Sequence, residues 1–93
     1  APVQAMIVPV ADRHIEYAKQ IAEDLRAQGV RVKVEERSES VGKKIREAEL
    51  GRYPYMLVVG DRETEAGEIA VRSHDEGELG SMTVEKFCML LGT

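Results

Sequence analysis

A single cysteine, Cys88, stands in the 93 residues, so no internal disulfide can staple the fold. No second thiol or nearby histidine completes metal-ligand spacing either, and Cys88 reads as a small core hydrophobe. The chain also lacks an apolar run of transmembrane length, and Ala1-Pro2-Val3 does not open a signal peptide. The expected compartment is therefore the cytoplasm, with no membrane partner. Gly42-Lys43-Lys44 and Gly51 lack the spacing and the strand-to-helix context of a phosphate-binding loop. His14 and His74 are far apart, and neither stands beside an evident nucleophile; Ser81 has no motif around it. His14, in a first helical turn, and His74, in a polar loop, are both expected at the exposed surface. Repeats, linkers and low-complexity segments are missing, and so is a starting Met. The expectation is one domain, residues 1–93, cut from a longer protein.

What is present suits a folded domain. Hydrophobic residues make up 43% of the chain and charged residues 32%, which excludes disorder. Net charge is −4, a sign that by itself argues against a nucleic-acid partner. Its distribution argues otherwise. Between Arg26 and Arg52 eight Lys/Arg face five Asp/Glu, a local +3 on a body that carries −7. A modest basic zone of this kind fits a local RNA contact better than a broad electrostatic clamp.

Along the chain, Gln4–Val10 reads as a first strand with Pro9 near its end. Asp12 is a suitable cap for a helix whose Ile15, Ala18, Ala22 and Leu25 recur at helical spacing and which stops at Gly29. Val30–Glu35 alternates with period two, as a strand at or near a sheet edge does, with Arg31 and Lys33 on its wet face. A second helix is expected over Val41–Leu50. The continuously apolar run Met56–Val59, entered through Pro54 and left through Gly60-Asp61, reads as a central strand covered on both faces. Only a short turn is expected between Gly60 and Glu68, so that the strand Glu68–Ser73 runs antiparallel to it. Leu79–Met82 adds a short edge strand, and Thr83 caps a last helix packed through Val84, Phe87, Cys88 and Leu91. The architecture that follows is a three-layer α/β/α domain: a five-stranded mixed sheet, one strand antiparallel, with three helices.

Arg52, Glu63 and Arg72 have geometry in their favour, since Arg52 precedes the central strand, Glu63 lies past its end and Arg72 sits late on the antiparallel neighbour. The acids Glu63, Glu65 and Glu68 have nothing apolar around them to raise their pKa values, and read as solvated rather than catalytic.

Three segments carry a resemblance: Gly42-Lys43-Lys44-Ile45-Arg46-Glu47-Ala48, Tyr53-Pro54-Tyr55-Met56-Leu57-Val58-Val59-Gly60-Asp61-Arg62-Glu63, and Ile69-Ala70-Val71-Arg72. Together they resemble the anticodon-binding domain of class IIa aminoacyl-tRNA synthetases, and the likeness spans essentially the whole chain. Ala1-Pro2-Val3-Gln4, Lys44-Ile45-Arg46-Glu47 and Leu79-Gly80-Ser81-Met82 are most similar to the threonyl members of bacterial type. The resemblance implies a non-catalytic domain that contacts the anticodon loop of a tRNA, with no cofactor of its own. The implied parent is a homodimeric ligase whose catalytic domain uses ATP, Mg and Zn. It also implies that Arg52, Glu63 and Arg72 read bases with support from Ser38 and Arg46, while Lys43, Lys44 and Arg31 meet phosphates. Position 38 is Ser where an amide is common in bacterial threonyl members, and the loop His74-Asp75-Glu76-Gly77-Glu78 is acidic where relatives are often basic. Prolyl, histidyl or glycyl members of the class, or a non-catalytic accessory clamp of the same fold, are the alternatives. A small-ligand regulatory α/β module is disfavoured by the lack of a Gly-rich loop.

Overall fold

The computed structural model describes residues 4–36, 42–43, 46 and 53–91. Five strands form one sheet: β1 (Ala5–Pro9), β2 (Val32–Val34), β3 (Tyr55–Val59), β4 (Ile69–Ser73) and β5 (Gly77–Met82). Their spatial order is β2-β1-β3-β4-β5. β1 pairs parallel with both β2 and β3, and β4 pairs antiparallel with both β3 and β5. β4 is thus the one strand against the grain, as expected, and β2 is the expected edge. Arg31 and Lys33 are exposed there.

Alternation along the strands sorts side chains onto two faces. Ala5, Ile7, Leu57, Val59, Ile69 and Val71 join Ala18, Ile21, Ala22 and Leu25 of α1 (Ile15–Ala27), with Phe87 and Cys88 of α3 (Val84–Leu90), in one buried cluster. Met6, Val8 and Met56 make a second cluster on the opposite face. Burial on both faces is the reason β1 and β3 are apolar throughout rather than alternating. Tyr55 meets Phe87 edge-on, ring centroids 5.3 Å apart, which makes it core; Tyr53 is half-buried against the second cluster. Thr83 caps α3, its Oγ1 accepting from Lys86 N at 3.2 Å. α1 ends as expected at Gly29, whose φ of 85° suits a residue without a Cβ.

Three expectations are corrected. The segment after β3 is a six-residue helix, α2 (Asp61–Ala66), and not a mere turn. Gly60 and Glu63 close its first turn, as the next section describes. β5 begins at Gly77, two residues earlier than expected, and a register shift at Val71/Arg72 accommodates its pairing with β4. The chain enters α1 through a 3-10 turn, Asp12–His14, so Asp12 is the first residue of that turn and stands at the cap of neither element; Ala11 stands at the cap of the turn and His14 at that of α1. Of the helix expected over Val41–Leu50, Gly42, Lys43 and Arg46 are described, each in helical conformation; the rest lies outside the described residues.

Candidate nucleic-acid interface

At the carboxyl end of β3 the backbone runs through Gly60 straight into α2. Gly is tolerated at an N-cap and Glu three residues later can reach back to it. Here the Gly60 N–H donates to Glu63 Oε1 at 2.8 Å. Thr64 N and Thr64 Oγ1 both donate to the Gly60 carbonyl, at 2.9 and 2.8 Å. The space is tight: a Cβ on Gly60 would stand 3.1 Å from Val10 Cγ2 and 3.2 Å from Glu63 Oε1. Glu63 is half-buried, and among the described residues its one hydrogen bond is this cap, which uses one lone pair of one oxygen.

Asp61, the first residue of α2, is held from across the sheet. Arg13 donates to it twice, Nε to Oδ1 at 3.1 Å and Nη2 to Oδ2 at 2.9 Å. His14 Nε2 lies 2.6 Å from Asp61 Oδ1, while His14 Nδ1 accepts from the Ala11 N–H at 3.1 Å. A nitrogen that accepts a backbone N–H carries no proton, so His14 is the neutral tautomer with its proton on Nε2, donating to Asp61. The Arg13 guanidinium first, and His14 second, hold the Asp61 carboxyl well below the usual carboxylate range. His14 is only 2% exposed, against the expectation of a surface residue. Its ring fills the gap between the β1–α1 turn and α2, a contact 47 residues apart in sequence that local pattern does not reveal. Tyr17 of α1 adds a tie at the far end of α2, its hydroxyl donating to the Glu68 carbonyl at 2.9 Å. Burial, then the charge of Glu63, pushes the Tyr17 phenol up.

Arg72 lies elsewhere. It is exposed on β4, level with Met56 of β3 and Glu78 of β5, on the face that carries the Met6–Val8–Met56 cluster. A cleft of about 290 Å³ opens beside it, lined by Met56, Arg72, Ser73, His74 and Gly77. His74 is exposed, as expected. Gly60 is four residues beyond Met56, so Arg72 and the Glu63 turn are about 13 Å apart along the strand. Their backbones therefore lie at different levels along the sheet. Lys43 and Arg46 are exposed and helical. Arg52, Ser38 and Lys44 lie outside the described residues. Among the described residues no group of three His, Cys, Asp or Glu could hold a metal, and no helix is long and apolar enough to cross a membrane. The Glu63 carboxylate reaching back to the Gly60 N–H, half of a capping box, was missed from the sequence, although its i, i+3 spacing was legible.

A planar-recognising carboxylate, an open guanidinium and a nearby aromatic, on a stiff sheet, suit unpaired bases better than a duplex. Comparison with known proteins agrees. The family model described as "Anticodon binding domain" matches residues 4–91, and the chain belongs to that family. Three of its relatives are threonine–tRNA ligases. The enzyme of Caldanaerobacter subterraneus subsp. tengcongensis is 45% identical over 87 residues, 94% of this chain and 14% of that protein. Those of Prosthecochloris aestuarii and Clostridium perfringens are 48% and 49% identical, over 92% and 94% of this chain and 13% and 14% of theirs. The chain thus spans about one seventh of these relatives' length. Among solved structures, the RNA binding domain of threonyl-tRNA synthetase from Cryptosporidium parvum Iowa II superposes with a TM-score of 0.92 at 26% identity, covering 99% of this chain and 23% of that one.

Proposed function

We propose that this domain selects tRNA for a threonine–tRNA ligase by reading unpaired anticodon bases at two stations, Glu63 and Arg72. The match of the anticodon-binding family to residues 4–91, together with relatives that are threonine–tRNA ligases, supports this reading. The Glu63 carboxylate accepts from the N1–H and N2–H of a guanine Watson–Crick edge, and the Arg72 guanidinium donates to guanine or uracil oxygens. Arg52 joins Arg72 as a donor, with Ser38 and Arg46 in support. Lys43, Lys44 and Arg31 meet phosphates, adding affinity without sequence choice. The cleft over Met56 receives the base beside Arg72, with Tyr53 half-exposed against the same cluster.

The threonylation chemistry belongs to the parent chain. In this proposal a homodimeric cytoplasmic ligase supplies the catalytic domain, with ATP, Mg and Zn bound there and none of them here. Glu63→Gln or Arg72→Ala in the parent should slow threonylation through tRNA recognition and leave threonyl-adenylate formation intact. A loss of adenylate formation as large as the loss of tRNA charging would defeat the assignment. Equal binding of tRNAs that differ only in their anticodons would do so as well.

A further inference from the structure

α2 is six residues long and none of its residues is buried, so neither helix propensity nor packing holds it firmly. A side chain on such an element reads a base accurately only if something else fixes it. The structure supplies that from the β1–α1 turn. His14, buried and neutral, spans from the Ala11 N–H to Asp61 Oδ1, and Arg13 grips the same carboxylate in fork geometry. Asp61 is bonded in the chain to Gly60, whose N–H orients Glu63. The two turns are laced further by the Val10 N–H donating to the Val59 carbonyl at 2.9 Å. Val10 Cγ2 closes the space beside Gly60.

From this lacing we infer that His14 and Arg13, acting through Asp61, are positioning residues for Glu63, so that the turns after β1 and β3 form one rigid unit that aims the Glu63 carboxylate at its base. The inference rests on the proposed reading of Glu63 and adds residues that touch no RNA. His14 is the stronger strut because it is buried and its two nitrogens are both committed. Arg13 and Asp61 are solvent-exposed, 68% and 65% at the side chain, where an ion pair alone contributes little.

The test is a double-mutant cycle in the full-length ligase carrying this domain. The measured quantity is the ratio of kcat/KM for the cognate tRNA to that for a tRNA whose anticodon guanine is replaced by adenine. Threonine-dependent pyrophosphate exchange and thermal midpoint are followed in parallel. His14→Leu, which removes both hydrogen bonds, should lower the ratio roughly tenfold with exchange unchanged. His14→Gln, which can accept from Ala11 and donate to Asp61, should restore it to within about twofold of wild type. In a Glu63→Gln background His14→Leu should add nothing, because residues that act through one group are not additive. Arg13→Ala, at the surface and free of folding risk, should lower the ratio about threefold. A His14→Leu enzyme with a lowered midpoint but an unchanged ratio would overturn the inference and leave the reading of Glu63 standing. So would a His14 effect that multiplies with that of Glu63→Gln. A Glu63→Gln enzyme that discriminates as well as wild type would instead remove the reading of Glu63, and the positioning role with it.

Discussion

Glu63 and Arg72 differ in how they are held. Glu63 sits in a web: its own cap on Gly60, the clamp on Asp61 next door, and Tyr17 at the far end of α2. Arg72 stands on a sheet strand whose backbone is paired on both sides, and its guanidinium has no hydrogen-bond or ion-pair partner among the described residues. A strand in the body of a sheet is rigid without help, whereas a one-and-a-half-turn helix is not. Precision at Glu63 therefore has to come from side chains, and at Arg72 it comes from the ladder.

That difference can be broken in order of size. Glu63→Gln and Arg72→Ala should each reduce discrimination at one anticodon base by roughly 5- to 150-fold, the range of a good bidentate contact, measured as aminoacylation of tRNAs changed at that base. Stability should then separate the two stations. Glu63→Ala removes the cap and should cost about 0.5–2 kcal/mol in urea unfolding, whereas Arg72→Ala should stay within about 0.5 kcal/mol. Gly60→Ala tests the crowding directly. Its Cβ meets only side-chain atoms, of Val10 and Glu63, so the expected cost is about 1 kcal/mol, together with a loss of discrimination confined to the Glu63 station.

Acid should act on the same end of β3. The Asp61 carboxyl is depressed in the folded state, chiefly by Arg13 and then His14, so it stabilises the fold fully above the ordinary carboxylate pKa of about 3.9 and loses that contribution as pH falls below it. Denaturant midpoints of wild type and Asp61→Asn should converge progressively as pH falls below about 4 and differ by a constant amount well above it. Screening at this exposed site keeps the effect small. The smallest change expected is at Lys43, where Ala should weaken tRNA binding alike for every anticodon and reduce the salt slope by about one.

The strands, the α1 and α3 faces, the antiparallel β4 and the edge β2 were legible because each depends on a period of two or 3.6 that local sequence carries. Glu63 and Arg72 were singled out through family likeness. α2 was overlooked although Gly60-x-x-Glu63 has capping-box spacing, since a run of charged residues with no apolar stripe gives no periodic signal. His14 was misread for a deeper reason. A histidine in a polar segment looks exposed unless its partner is known, and the partner here stands 47 residues away.

The sequence by itself determined the strands, their order, the α1 and α3 faces and the chemical identity of the proposed reading groups, because hydrophobic period, turn residues and side-chain type are local properties. Only the tertiary structure decided that the loops after β1 and β3 meet and that Asp61 is shared by Arg13 and His14. Parallel pairing of Pro9 with Val59 sets those loops side by side, and no residue in either one encodes that neighbour alone.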